Sequence, residues 1–312
     1  MSTVLYLGPA HALGTARSIL EPRWPVIAPE LNPEAVGASL ADAVAVLDAS
    51  MRVHFDRTML FLAPGLRVIS TATTGADHID AQALKARGIP LLTLAGEKEL
   101  LFRLTPAAEH SWLLLMACAR RLRGAIQHVL DGQWKREEFP GIMLNGKTLG
   151  LVGCGRIGSW MSRYARAFCM NVIGYDPYTP AWPAEIEKSD LDGLLATADF
   201  VSIHVPLNDH TRGMIGEREF ALMKSGVVFI NTSRGKVTDE QALLNALLRG
   251  RLGAAGLDVL EGEPTIDCHP LVEYARTHEN LIITPHIGGF APDAVSLVVA
   301  HAARRIADVL SQ

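Results

Sequence analysis

The sequence predicts an α/β fold built on doubly wound parallel sheets. Three observations point to it. Apolar, β-rich runs alternate with helical stretches along most of the chain, as crossover connections between parallel strands require. A glycine-rich turn, Gly153-Cys154-Gly155-Arg156-Ile157-Gly158, joins one such run to one such helix. At 312 residues and 49% hydrophobic content, the chain is long enough for two domains, each with its own core.

The runs Val4–Leu7, Ala43–Leu47, Leu66–Ser70 and Gly88–Leu92 read as buried strands of a first α/β unit. Thr105-Pro106 then opens a long helix to about Leu122. Threonine caps well, and proline at the first helical position gives up no needed hydrogen bond. Residues Asp131 to Gly146 look irregular and carry Trp134, Phe139, Pro140 and Met143. Six further runs follow: Thr148–Gly153, Asn171–Asp176, Phe200–Val205, Val227–Asn231, Ala254–Val259 and Leu281–Thr284. Separated by helical segments, they fit one complete nucleotide-binding sheet of the Rossmann type. The tail from Ala291 to Leu310 reads as a helix, with Val295, Val298, Val299, Ala302 and Ile306 on its apolar stripe.

A net charge of −4 gives no electrostatic footprint for nucleic acid. The apolar run Trp112–Ala119, closed by Arg120 and Arg121, is far shorter than the about 20 residues of a membrane span. The chain starts without a basic leader and enters a strand directly, so no signal peptide is expected. Cys118, Cys154, Cys169 and Cys268 have neither CxxC spacing nor clustered partners. They read as isolated thiols of a reducing compartment, with no metal site, and the expected location is the cytoplasm.

The glycine turn has the context of a dinucleotide phosphate loop. A strand, Leu149–Val152, enters it and a helix, Ser159–Phe168, leaves it. Gly153 permits the tight turn, Gly155 lets the backbone approach a pyrophosphate, and Gly158 lets helix and strand pack closely. The helix N-terminus offers free N–H groups and partial positive charge to the phosphates. Asp176 ends the next strand at the spacing of about 20 residues expected for a ribose-binding acid. A carboxylate there repels a 2′-phosphate, so NAD is favoured over NADP.

Three later segments each follow a strand and carry one reactive residue: Arg234 in Asn231–Gly235, Glu263 in Gly256–Pro264, and His286 in Pro285–Gly289. Ligands of open α/β sheets bind at the carboxyl ends of strands, so one crevice is available to all three. Hydride transfer to a 2-oxo acid needs a proton donor for the carbonyl oxygen, a role suited to histidine. A carboxylate beside it fixes its tautomer and stabilises the imidazolium. An arginine polarises the carbonyl and pairs with a carboxylate through a planar fork. Taken singly, Arg234 serves equally as a loop ion-pair partner, Glu263 as a solvated turn charge and His286 as a structural loop histidine.

These segments together resemble the D-isomer-specific 2-hydroxyacid dehydrogenases, the family of phosphoglycerate, D-lactate and glyoxylate/hydroxypyruvate dehydrogenases. The resemblance runs from about Leu66 to Gly289 and rests on Thr73-Thr74-Gly75-Ala76-Asp77-His78-Ile79-Asp80, Gly146–Gly150, the phosphate loop, Asn231–Gly235 with Asp239-Glu240, Gly256–Pro264 and His286–Gly289. It implies two Rossmann-like domains with an active-site cleft between them: a flavodoxin-like substrate domain of residues 1–102 and 286–312, and an NAD-binding domain of residues 103–285. It implies His286 as acid/base, Glu263 as its partner and Arg234 as the substrate-orienting residue. Thr73, Thr74, Gly75 and Ala76 would hold the substrate carboxylate. Arg156 and Ile157 would meet the pyrophosphate, Asp176 the ribose, and Val205 and Pro206 the adenosine. Thr232, Ser233 and Asp258 would lie at the nicotinamide end, with Thr74, Arg234, His286 and Gly289 as further cofactor contacts. His204 is expected to line the pocket or pack in its strand. The family also implies a homodimer through the NAD-binding domain, with Trp134–Met143 as its arm, and no contact with membrane or nucleic acid.

Two departures bear on substrate identity. The family's short substrate loop is replaced by a longer, charged and apolar segment, Thr93–Leu104, where Lys98 or Arg103 is available to a second anionic group and a solvated turn or helix extension is the alternative. Phe290 stands where the family has a small residue. With the chain closing at Gln312, no regulatory domain is expected. Glu263 argues against a formate dehydrogenase. The expected activity is NAD-dependent interconversion of a small 2-oxo acid, of glyoxylate/hydroxypyruvate or phosphoglycerate type, with its D-2-hydroxy acid. An NADH-sensing corepressor on the same fold and a phosphite dehydrogenase are the alternatives.

Overall fold

The computed structural model describes residues 2–179 and 182–312. The chain divides into two compact units, one of residues up to Leu104 together with Phe290–Gln312, the other of Thr105–Gly289.

The first unit holds a parallel sheet of β1 (Thr3–Leu7), β2 (Val26–Ile27), β3 (Ala43–Asp48), β4 (Val68–Thr71) and β5 (Leu91–Leu92). Its order, β2-β1-β3-β4-β5, is the flavodoxin-like doubly wound arrangement. Side chains alternate between its faces, as the period of two demands. Val4, Tyr6, Ala45, Leu47 and Val68 enter one core, packed under the helices Ala10–Leu20 and Pro292–Leu310. Leu5, Leu7, Val46 and Ile69 enter the other. The expected tail stripe of Val295, Val298, Val299, Ala302 and Ile306 is buried in the first core.

The second unit holds β6 (Thr148–Val152), β7 (Asn171–Tyr175), β8 (Glu187–Lys188), β9 (Phe200–Ile203), β10 (Val227–Asn231), β11 (Leu252–Leu257) and β12 (Leu281–Ile283). All are parallel, in the order β12-β11-β10-β9-β6-β7-β8. The six strands expected from sequence are all present, and β8 is a seventh. Two-residue strands such as β2 and β8 carry no alternation, and Glu187-Lys188 is charged besides, so neither registers as a strand in the sequence. The order reverses between β6 and β9, the switch point at which such folds bind ligands.

The long helix differs from expectation. It spans Pro106–Ala119, and a second helix, Leu122–Leu130, follows. Arg121 separates them in the left-handed conformation at φ 48°, which an α-helix of L-residues does not propagate through. The second unit also continues past residue 285 to Gly289, because the backbone N–H groups of His286, Ile287 and Gly288 all donate to Asp258. No helix among the described residues is long and apolar enough to cross a membrane.

Candidate active site

The sheet of the second unit brings the reactive loops to one edge, because its strands are parallel and every loop in question leaves a carboxyl end. The phosphate loop follows β6, Asp176 follows β7 and His204-Val205-Pro206 follows β9; Arg234, Glu263 and His286 follow β10, β11 and β12.

At the phosphate loop the three glycines have distinct reasons. Gly153 adopts φ +98°, and a Cβ there would lie 2.5 Å from the His204 carbonyl oxygen. At Gly158 a Cβ would lie 2.2 Å from the Gly153 carbonyl oxygen. Around Gly155, by contrast, nothing stands within 4 Å of the Cβ position, and this glycine caps the helix Arg156–Ala167. Space of this kind at a helix N-terminus fits a pyrophosphate. Asp176 closes the loop from β7: its carboxylate accepts the Cys154 N–H at 3.0 Å, the Tyr178 and Thr179 N–H groups and the Thr179 hydroxyl. Burial, with Asp176 nearby, pushes the Cys154 thiol up to about 12, which leaves it inert. His204 is bonded to Ser202 at 2.8 Å, and burial lowers it to about 3. It stays neutral and packs at the end of β9.

His286 and Glu263 come together, with Nδ1 2.7 Å from Oε1. Their side chains are 35% and 31% exposed, so the pair sits at the surface of this edge. With Nδ1 engaged by the carboxylate, Nε2 is the ring atom left for a reacting group. The backbone at His286 is left-handed at φ 54°, uncommon outside glycine. Asp258 holds it there. The Asp258 carbonyl accepts the His286 N–H at 2.9 Å, and its carboxylate accepts the Ile287 and Gly288 N–H groups at 2.9 and 2.7 Å and the Thr284 hydroxyl at 2.6 Å. His110 lies 3.3 Å from the same carboxylate. Asp258 is only 1% exposed. Burial alone pushes its carboxyl up, but the bonds from His110, Thr284, Ile287 and Gly288 outweigh this and hold it below the usual range.

Arg234 lies on the neighbouring loop, where its guanidinium donates to the Ser233 carbonyl at 2.8 Å. Asn231, buried at the end of β10, shapes that loop: its amide donates to the Arg234 carbonyl, and its carbonyl accepts from the Ser233 N–H and hydroxyl. The Thr232 hydroxyl pairs with buried Ser111 at 2.7 Å. Roles for His110 and Ser111 are invisible to spacing arguments, since each acts through a partner remote in sequence.

The expected carboxylate contacts lie in the first unit, after β4. The Thr73 hydroxyl donates to the Gly75 carbonyl at 2.7 Å, and the Leu94 N–H donates to the Thr73 carbonyl at 2.9 Å. The N–H groups of Thr74, Gly75 and Ala76 make no hydrogen bond among the described residues. The segment Thr93–Leu104 contains a short helix, Lys98–Phe102, with Lys98 and Arg103 exposed. It is tied down by Glu97, which pairs with His301 at 3.2 Å and Arg305 at 3.3 Å. Phe290 packs edge-on against His11 with ring centroids 5.8 Å apart. No cluster of metal-binding side chains occurs among the described residues.

The chain is similar to known proteins over most of its length. Residues 112–288 match the NAD binding domain, and residues 20–99 the catalytic domain, of the D-isomer specific 2-hydroxyacid dehydrogenases. The chain is 37% identical over 251 residues to a D-3-phosphoglycerate dehydrogenase of Archaeoglobus fulgidus, covering 78% of this chain and 46% of that protein. It thus spans about half the length of that relative. A hydroxypyruvate reductase of Thermotoga maritima is 39% identical over 229 residues, 73% of this chain and 72% of that one. Among solved structures, a D-lactate dehydrogenase of Aquifex aeolicus, complexed with NAD and lactic acid, superposes with a TM-score of 0.83 at 27% identity, covering 99% and 96% of the two chains.

Proposed function

The chain belongs to the D-isomer specific 2-hydroxyacid dehydrogenase family and carries its NAD-binding domain, and from that premise we propose that it interconverts a small 2-oxo acid and its D-2-hydroxy acid with NAD. The 2.7 Å pair of His286 and Glu263 carries the proposal. NAD supplies or accepts the hydride. In reduction, His286 gives the Nε2 proton to the carbonyl oxygen and reclaims it in oxidation, while Glu263 holds the tautomer and balances the imidazolium. Arg234 polarises the carbonyl and orients the acid. Thr74, Gly75 and Ala76 bind the substrate carboxylate through their unbonded N–H groups, with Thr73 shaping that turn. The phosphate loop with Arg156 and Ile157 holds the pyrophosphate, and Asp176 the ribose. Val205, Pro206, Thr232, Ser233, Asp258 and Gly289 complete the cofactor site. The relatives' names point to substrates of glyoxylate/hydroxypyruvate or phosphoglycerate type.

The working assembly proposed is a homodimer through the NAD-binding unit. In its support, Leu122, Ile126, Val129 and Leu130 form an exposed apolar stripe on one short helix, and Trp134 beyond it is 87% exposed. Apolar patches of this kind mark association surfaces. The free thiols Cys169 and Cys268 are exposed, consistent with a cytoplasmic location.

The test is a panel of glyoxylate, hydroxypyruvate, pyruvate and phosphohydroxypyruvate with NADH, read at the nicotinamide absorbance. One or more is expected to turn over, and His286→Ala is expected to lose at least about 10²-fold in kcat. Tight NADH binding with no turnover of any member replaces this reading with that of a nucleotide sensor.

A further inference from the structure

The loop that carries Glu263 is braced by a second carboxylate–histidine pair. Glu240 opens the helix Glu240–Leu248, just beyond the Arg234 loop. Its Oε1 accepts the Glu261 N–H at 2.8 Å, and its Oε2 lies 2.9 Å from His269 Nε2. Both side chains are nearly buried, 13% and 12% exposed. His269 Nδ1 in turn accepts the Leu271 N–H at 3.3 Å and caps the helix Pro270–Thr277. A neutral imidazole that accepts at Nδ1 carries its proton on Nε2, so His269 donates to Glu240 and orients it.

The contact reaches both reactive loops. A Cβ at Gly235 would lie 2.2 Å from the Leu260 carbonyl carbon and 2.3 Å from the Glu261 nitrogen, so the backbone after Arg234 touches the backbone before Glu263. Besides His269, the charged groups around Glu240 are Glu261 and, 3.9 Å from Glu261, Lys236. Burial pushes the Glu240 carboxyl up, against the bonds from the Glu261 N–H and His269. A buried carboxylate with two fixed donors is a stiff connection, because any displacement of Glu261 leaves one of its bonds unmade.

We propose that Glu240, oriented by His269, is a positioning residue that holds Glu263 within reach of His286. The proposal rests on the roles given to His286 and Glu263 above, and its test is separable from theirs. Glu240→Gln keeps an acceptor for Glu261, but its amide nitrogen cannot accept from His269 Nε2. His269→Asn retains a short acceptor able to cap the helix and is too short to reach Glu240. Both variants are compared with the unaltered chain in kcat and KM, in thermal midpoint, and in the histidine ring nitrogen signals by nitrogen-15 NMR.

The expected result is a fall in kcat of about 10-fold to 100-fold, the scale of a small misplacement, with the KM for NADH unchanged. The His286 ring nitrogen signals move relative to the unaltered chain, because the bond between Nδ1 and Glu263 sets which ring nitrogen carries the proton. A lowered thermal midpoint with kcat and the His286 ring signals unchanged overturns the proposal and leaves the pair a structural brace. If the unaltered chain reduces no 2-oxo acid, the functional reading fails, yet the ring signals still decide the positioning role: unchanged in both variants, they overturn it.

Discussion

His286 Nδ1 lies 2.7 Å from Glu263 Oε1, although the two residues leave different strands. A carboxylate at this distance selects the ring tautomer. Glu263→Gln keeps the shape and removes the charge. The expected outcome is a loss of at least about 10-fold in kcat, within the range of acid–base catalysis, with the Kd for NADH unchanged by fluorescence titration. Wild-type turnover in this variant refutes the partnership.

Gly155 and Gly158 offer a contrast that separates binding from folding. At Gly155 a Cβ meets nothing within 4 Å, whereas at Gly158 it strikes the Gly153 carbonyl oxygen at 2.2 Å. Gly155→Ala is expected to leave the thermal midpoint in place and weaken NADH by about 10-fold, since the methyl occupies the path of the pyrophosphate. Gly158→Ala is expected to lower the midpoint itself. Calorimetry and NADH titration on both variants check this. Unimpaired NADH affinity in the Gly155 variant counts against the pyrophosphate placement.

Asp176 accepts from Cys154 in the phosphate loop, so its removal acts on two features at once. Asp176→Ser is expected to shift the ratio of kcat/KM for NADH over NADPH toward NADPH, because the charge that repels a 2′-phosphate is gone. An unchanged ratio excludes the ribose contact.

Asp258 predicts an acid limb in stability. Its carboxyl is held below the ordinary range in the folded chain despite burial. Such a group contributes stability that is fully present above its unfolded value, about 3.9, and lost as pH falls through its folded value. Asp258→Asn therefore destabilises at neutral pH, by about 3 kcal/mol for a buried acceptor stripped of its charge. The gap in thermal midpoint between the two chains closes as pH falls below about 4. A gap independent of pH shows that the charge is not what stabilises the His286 loop.

Ile126 and Val129 sit on the exposed stripe of the helix Leu122–Leu130. Replacing both with Glu is expected to halve the sedimenting mass in analytical ultracentrifugation and leave the far-ultraviolet dichroism unchanged, because buried like charges oppose association. An unaltered mass refutes association through this helix.

By itself the sequence determined what depends on neighbours along the chain. The glycine spacing of residues 153–158, the acid at 176, the six longer strands of the second sheet and the apolar stripe of Val295–Ile306 are all local patterns, set by backbone sterics and by the periods of helix and strand. Arg234, Glu263 and His286 were legible as candidates because each follows a strand. Their pairing came from the family resemblance, not from spacing. The tertiary structure decided that Glu263 lies 2.7 Å from His286, that Asp258 is buried under the His286 loop, and that Glu240 and His269 brace the loop of Glu263. Those contacts join residues remote in sequence, and their energies come from burial and fixed geometry, which no local period encodes. The short strands β2 and β8 and the break at Arg121 belong to the same class: two residues hold no alternation, and a single left-handed residue is chosen by the packing around it.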